Sequence, residues 1–164
     1  VHSSVLDYVA KAIGQHGPFQ SVCEVGCRDI NGGVRTLFGG CEYVGVDLIP
    51  GTEVDVVANF ATWAPGRLFD CIVSTSTLEH TPDGAEIIAN AARLLNPHGV
   101  LIVTCAGTGW APHSAIDEAP IRPDEFYENV DVDTLERWVA DAGFNCWTAE
   151  RIEQFGDTCC TAFR

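Results

Sequence analysis

The chain has 164 residues, 46% hydrophobic and 20% charged, with 16 Gly and 8 Pro. That composition suffices for one buried core over 1–164, is too varied for a disordered or repetitive chain, and holds no apolar run that spans a bilayer. Nine Lys and Arg against 23 Asp and Glu leave a net charge of −14, a field that repels phosphate backbones and anionic lipid, so neither nucleic acid nor membrane is expected as a partner.

Val5, Tyr8, Val9, Ala12 and Ile13 recur at helical spacing, with Ser3 or Ser4 as cap and Gly14, Gly17 and Pro18 closing the segment. Ser21 to Val25 is a short apolar strand followed by a glycine-containing turn and a helical stretch through Val34, Leu37 and Phe38. Tyr43 to Asp47 and Val54 to Val57 are the next two strands, with Pro50-Gly51 as the turn between them. Phe69 to Ser74 is the fourth.

Thr81-Pro82-Asp83 then offers a cap, a proline at the first helical position and an acid in the first turn. Ile88, Ala91, Ala92 and Leu95 continue that helix, and Asn96-Pro97-His98-Gly99 stops it before the strand Val100 to Thr104. Strands that are apolar throughout and alternate with helices indicate an α/β fold with a parallel sheet covered on both faces.

Residues 106 to 130 carry Gly, Pro, His113 and many acids without a period, which predicts a functional loop or lid with a short helix around Asp124 to Tyr127. Asp133 is the expected cap of the last helix, whose apolar stripe is Leu135, Trp138, Val139 and Ala142 and whose stop is Gly143. Phe144 to Glu153 and Thr158 to Phe163 then read as an antiparallel hairpin around Phe155-Gly156-Asp157.

Eight cysteines would form a disulfide framework in a small secreted protein, but Cys23, Cys71 and Cys105 fall inside predicted strands and read as small buried side chains. There is no C-x-x-C pair, and the adjacent Cys159 and Cys160 make a poor zinc half-site, so no metal is expected. A reduced, cytoplasmic chain fits this usage. Val1-His2-Ser3-Ser4 carries no basic segment followed by an apolar one, and the absence of an initiator methionine leaves room for a removed segment.

The chemistry concentrates after the first strand, in Glu24-Val25-Gly26-Cys27-Arg28-Asp29-Ile30-Asn31-Gly32-Gly33. Gly26 lets the chain turn sharply, so backbone N–H groups face a ligand at the carboxyl edge of the sheet. Asp47 ends the second strand, where a carboxylate accepts both hydroxyl protons of an adenosine ribose. Alone, Gly26 reads equally as a plain strand-to-helix turn and Asp47 as a solvated acid.

Two adenosine cofactors compete for this arrangement. Arg28 stands where a dinucleotide fold needs glycine for the pyrophosphate, which weighs against NAD and an oxidoreductase. S-adenosylmethionine has no pyrophosphate and presents a carboxylate that Arg28 can pair with; the competing reading pairs Arg28 with Asp29.

VCEVGCRDINGG, YVGVDLIPG, VDVVANF, FDCIVSTSTLEHTPD and LLNPHGVLIVT, in this order, resemble the class I S-adenosylmethionine-dependent methyltransferases, in particular the small type 11-like methyltransferase-domain proteins. The resemblance covers nearly the whole chain. It implies a three-layer Rossmann-like fold around a mostly parallel seven-stranded sheet of order 3-2-1-4-5-7-6, with the last strand antiparallel. It places Glu24 and Gly26 around the methionine part of the cofactor, Asp47 on the ribose, Asn59 and Phe60 at the adenine, and Ser74 and Thr75 beside the sulfonium. Taken singly, Asn59 also reads as a polar turn residue and Phe60 reads first as a core aromatic. Arg28 in place of a second glycine and Asn59 where an acid is frequent depart from the family pattern.

Methyl transfer is an in-line displacement that asks mainly for alignment and exclusion of water. If a base takes part, His80 in Leu78-Glu79-His80 is the first choice, against a reading in which Glu79 and His80 only anchor the following helix. The resemblance places His113 and Asp117 of the long segment toward the acceptor, with His113 a second catalytic candidate, against a reading of His113 as an exposed loop histidine; Trp110, Phe126 and Tyr127 read as pocket walls or as packing for the lid. The expected reaction moves a methyl group from S-adenosylmethionine to a small molecule, leaving S-adenosylhomocysteine. A non-catalytic S-adenosylmethionine-binding module of the same fold is the alternative, and an NAD-dependent oxidoreductase a minor one. The sequence carries no signal for oligomeric state.

Overall fold

A computed structural model describes residues 1–153 and 155–164. The elements run α1 (Ser3–His16), β1 (Ser21–Val25), β2 (Glu42–Asp47), β3 (Val56–Val57), β4 (Phe69–Thr75), α2 (Gly84–Leu94), β5 (Leu95–Ala106), α3 (Val132–Asp141), β6 (Cys146–Ile152) and β7 (Asp157–Phe163). Short 3-10 turns occupy Arg35–Leu37 and Leu78–His80.

The seven strands form one sheet in the order β3-β2-β1-β4-β5-β7-β6, parallel except for β7, which runs antiparallel to both neighbours. This is the order and the antiparallel hairpin expected from the sequence. The central strands divide their side chains between two cores. Val22, Cys71, Val73, Val100 and Ile102 meet Val5, Val9 and Ala12 of α1 on one face. Cys23, Val25, Ile72, Leu101 and Val103 meet Ile87, Ile88 and Ala91 of α2 and Leu135 and Val139 of α3 on the other. A strand buried on both faces needs apolar residues at every position, which is why its period-two signal disappears from the sequence. The edge strand β6 behaves oppositely: Cys146, Thr148, Glu150 and Arg151 alternate or cluster toward solvent.

Local chemistry moves several boundaries. α1 starts one residue ahead of the expected serine caps: His2 is the N-cap, and its carbonyl takes the N–H groups of Val5 and Leu6. β3 is only two residues long, because Asp55 accepts the Gly45 N–H at 2.7 Å and so occupies a donor that a longer ladder would use. Thr81 does not cap α2. Its hydroxyl accepts the Asp83 N–H at 3.1 Å in a local turn, and the helix begins after it at Gly84. Asp131, not Asp133, caps α3 by accepting the Thr134 N–H at 2.8 Å, and Asp133 lies in the first turn, facing the helix dipole.

The expected helix around Asp124 to Tyr127 does not form. There the Glu125 carboxylate is drawn back to the Arg122 N–H at 2.9 Å and to the Ser114 hydroxyl at 2.6 Å, and Pro123 lies between. The segment is an irregular loop pinned by side chains. No helix among the described residues is long and apolar enough to cross a membrane.

Candidate functional site

At the carboxyl ends of β1, β2, β4 and β5 the connecting loops part to leave a cleft of about 650 Å³. A parallel sheet opens there because the chain must leave each strand on one face or the other. Gly26 makes the first exit. It has φ +73°, and a β-carbon on it would stand 2.1 Å from the Thr77 hydroxyl, so both the backbone conformation and the close approach require glycine. Thr77 is held in that place by donating to Val25 O at 3.3 Å or Thr75 O at 3.0 Å. Nothing in the sequence singled out Thr77.

Asp47 ends β2 on the cleft wall. One carboxylate oxygen accepts the Arg28 N–H at 3.2 Å and the other the Ile49 N–H at 2.9 Å. A carboxylate has about four acceptor positions, so two remain for a ligand. Leu48 and Ile49 follow with exposed apolar side chains on the same wall. Glu24 is 3% exposed and its carboxyl is pushed up to about 7 by burial, against the Tyr43 hydroxyl that donates to it at 2.8 Å.

Arg28 lines the cleft, but its guanidinium pairs with neither Asp29 nor another acid among the described residues. It donates to Ala115 O at 2.9 Å and thereby ties the first loop to the segment after β5. Asn59 also lines the cleft, with its amide oxygen already bonded to the Ala61 N–H at 2.9 Å, which leaves one lone pair for a ligand. Phe60 packs its side chain into the core at 3% exposure, while the residue borders the cleft and its N–H has no partner among the described residues.

Ser74 departs from expectation. Its hydroxyl turns back to Val25 O at 3.2 Å, it is 1% exposed, and it lies outside the cleft lining, whereas Thr75 borders the cleft. The β4 pleat forces this difference, because successive side chains leave opposite faces.

The far end of the cleft is aromatic and imidazole-rich. The rings of His80 and His113 meet edge to face at 4.9 Å, and Tyr127 stands edge-on to both at 5.3 and 5.0 Å. Burial, and secondarily His113, holds the half-buried His80 imidazole down to about 4. The Glu79 carboxyl is 1% exposed and pushed up to about 7 by burial. His113 donates Nδ1–H to Ala111 O at 3.0 Å, since a carbonyl can only accept. Asp117 is turned away to Arg122 in an ion pair of 2.5 Å, and Phe126 is exposed outside the lining, so neither joins the cleft; Trp110 does. Asp157, at the start of β7, joins the wall as well; it is 3% exposed, its acidity weakened by burial, and it accepts from the Ser4 hydroxyl at 3.2 Å. Its only trace in the sequence is an acid closing the Phe155-Gly156 turn.

Acids dominate the lining. Glu24, Asp29, Asp47, Glu79, Asp83 and Asp157 all border the cleft, and Arg28 is the one Lys or Arg side chain among them.

Comparison with known proteins agrees with the fold. Residues 1–149 match the profile of a family described as a methyltransferase domain. The 1,6-didemethyltoxoflavin-N1-methyltransferase of Burkholderia thailandensis, solved with 1,6-didemethyltoxoflavin and S-adenosylhomocysteine, superposes with a TM-score of 0.72 at 16% identity, over 98% of this chain and 78% of that one. An S-adenosylmethionine-dependent methyltransferase of Mesorhizobium loti gives 0.67 at 18% identity, over 97% and 100%. The N-methyltransferase NodS of Bradyrhizobium japonicum, solved with S-adenosylhomocysteine, gives 0.66 at 15% identity, over 98% and 85%. No curated protein matches the sequence.

Proposed function

The chain belongs to the methyltransferase-domain family, and from that premise we propose that it transfers a methyl group from S-adenosylmethionine to a small-molecule acceptor, releasing S-adenosylhomocysteine. The observation that carries this reading is the pairing of the Gly26 turn with the Asp47 carboxylate on one cleft at the strand ends. Asp47 takes the ribose hydroxyls, Leu48 and Ile49 cover the base, and the free Phe60 N–H and the remaining acceptor of Asn59 meet the adenine edge. Glu24, Gly26 and Thr75 shape the methionine end. Arg28, fixed by Ala115, keeps further guanidinium donors for the methionine carboxylate. Ser74 supports the strand behind them through Val25.

The acidic wall favours a cationic sulfonium over the pyrophosphate of a dinucleotide. In the transfer, an acceptor lone pair attacks the methyl carbon as the C–S bond breaks and its electron pair stays on sulfur, and the acceptor proton is released. The protein aligns the two and keeps water out. His80 and His113 face the acceptor, and Tyr127, outside the cleft lining, packs edge-on against both. A cleft of about 650 Å³ is of the size that holds small molecules, and the Burkholderia enzyme binds 1,6-didemethyltoxoflavin together with S-adenosylhomocysteine. A net charge of −14 speaks against polynucleotide acceptors. Six cysteines buried as apolar side chains suit a reducing compartment such as the cytoplasm.

Calorimetric titration with S-adenosylmethionine, S-adenosylhomocysteine and NAD tests the assignment. Micromolar binding of the first two and none of NAD is the expected result. Binding of NAD alone overturns it.

A further inference from the structure

We propose that Glu79, His80 and His113 form a binding site for one divalent transition-metal cation at the acceptor end of the cleft. One ligand atom from each of these side chains lies within 4.8 Å of the other two. Donors that share an ion at about 2.1 Å stand about 3.4 Å apart in a tetrahedral set, so small side-chain rotations close the group around an ion.

The donors are presented as ligands. His113 gives its Nδ1–H to Ala111 O at 3.0 Å, which fixes the tautomer and leaves the Nε2 lone pair free. That backbone-anchored arrangement is the one metal-ligating histidines use. His80 Nδ1 and Glu79 Oε2 are buried and have no hydrogen-bond partner among the described residues. The Tyr127 hydroxyl is a third buried, unpartnered polar atom in the same group of rings. Buried polar atoms without partners are few in native proteins, and several on one spot call for a shared occupant.

Two imidazoles and one carboxylate suit zinc, cobalt, iron or manganese and leave coordination positions open, whereas magnesium prefers an all-oxygen set. The cysteine spacing, which argued against a metal, does not bear on this site: its ligands come from the turn after β4 and from a loop far along the chain. A ligand role for His80 replaces the proton-accepting one that the sequence suggested. Binding of the ion does not depend on the methyl-transfer reading; only its place beside the acceptor rests on it.

The test uses the full chain, stripped with a chelator and titrated calorimetrically with Zn²⁺, and in parallel with Co²⁺ followed by its ligand-field absorption. One equivalent of Zn²⁺ is expected to bind, with Co²⁺ developing the absorption of a low-symmetry nitrogen and oxygen site. Loss of a ligand should weaken binding by at least the roughly tenfold seen for outer-shell changes, so Glu79→Gln and His113→Ala should each lose tenfold or more. His98→Ala, at an exposed position near the start of β5, should bind as the parent does. Glu79 lies in the core, so His113→Ala decides the matter if Glu79→Gln does not fold. Absence of saturable Zn²⁺ binding, parent-like binding by His113→Ala, or equal loss in His98→Ala overturns the proposal. S-adenosylmethionine titrated into the stripped protein is read separately, so failure of the cofactor reading is not mistaken for failure of the metal site.

Discussion

Gly26 and Asp47 sit at the ends of β1 and β2, and a strand ladder sets their positions: Val25 is in register with Val46, and Gly26 N–H bonds Val46 O at 2.9 Å. His113 and Ser114, on the opposite wall, lie in a loop whose only ladder contact among the described residues is the isolated bridge between His113 and Pro120. Backbone bonds from Gly107 N–H to Gly156 O, Glu128 N–H to Glu79 O and Val130 N–H to Ala106 O fix the ends of that segment, and side chains hold much of what lies between. Ser114 donates to Glu125, Arg122 reaches Asp117 and Glu125, and Arg28 crosses the cleft to Ala115. One wall is positioned by repeating backbone bonds buried on both faces, the other by a few polar staples near solvent. A ladder loses little when one side chain changes, because the bonds around that residue persist. A staple is lost with its side chain.

The sharpest way to break this contrast is to change the ladder-held wall where it has no room. Gly26→Ala combines a left-handed φ with a β-carbon 2.1 Å from Thr77, and should destabilise the chain by about 3 kcal/mol or more. Urea unfolding measures it, and Thr77→Gly in the same chain should restore part of the loss.

Glu24 gives the next largest effect, and a pH dependence. Its folded-state carboxyl titrates at about 7 rather than near the ordinary 4.5. Between those values the folded chain retains a proton that the unfolded chain releases, so stability falls as pH rises through that window and the penalty is complete above 7. Its size is about 3 kcal/mol. Glu24→Gln keeps an acceptor for the Tyr43 hydroxyl and should gain on the parent between pH 5 and pH 8; identical slopes for the two proteins would remove burial of Glu24 as the cause.

Asp47→Ala tests the cofactor role of the same wall. Loss of a charged hydrogen-bond partner should weaken S-adenosylmethionine binding by about 1–3 kcal/mol, read by calorimetry, while the fold survives on its ladder. The smallest effect belongs to the stapled wall. Arg122→Ala removes its ion pairs with Asp117 and Glu125 at the surface, so stability should change little. S-adenosylmethionine affinity should remain as it was, and susceptibility of the 107–130 segment to proteolysis should rise. A matching loss of cofactor affinity would show that the two walls are not independent.

The strand order and the β7 hairpin were legible because apolar runs and turn residues report burial and chain reversal locally. Gly26, Asp47 and Phe60 were legible for the same reason, each marked by the strand it ends or the turn it opens. Thr77 and Asp157 were not. Their roles depend on what stands across the cleft, and Thr, or Asp after Gly, carries no local mark of that. Asp131 displaced Asp133 as cap by two residues because both acids suit a first turn and only the geometry of Thr134 N–H chooses between them.

The amino-acid sequence by itself determined the layered α/β order, the glycine turn and the acid at the end of β2, since these follow from periodicity, chain stiffness and burial along a continuous stretch. Tertiary structure alone decided that Arg28 spans to Ala115, that Ser74 turns away from the cleft while Thr75 faces it, and that Glu79, His80 and His113 converge. Those outcomes join residues far apart in the chain, or turn on which face a side chain leaves, and such pairings are fixed by packing in three dimensions rather than by any pattern of neighbours.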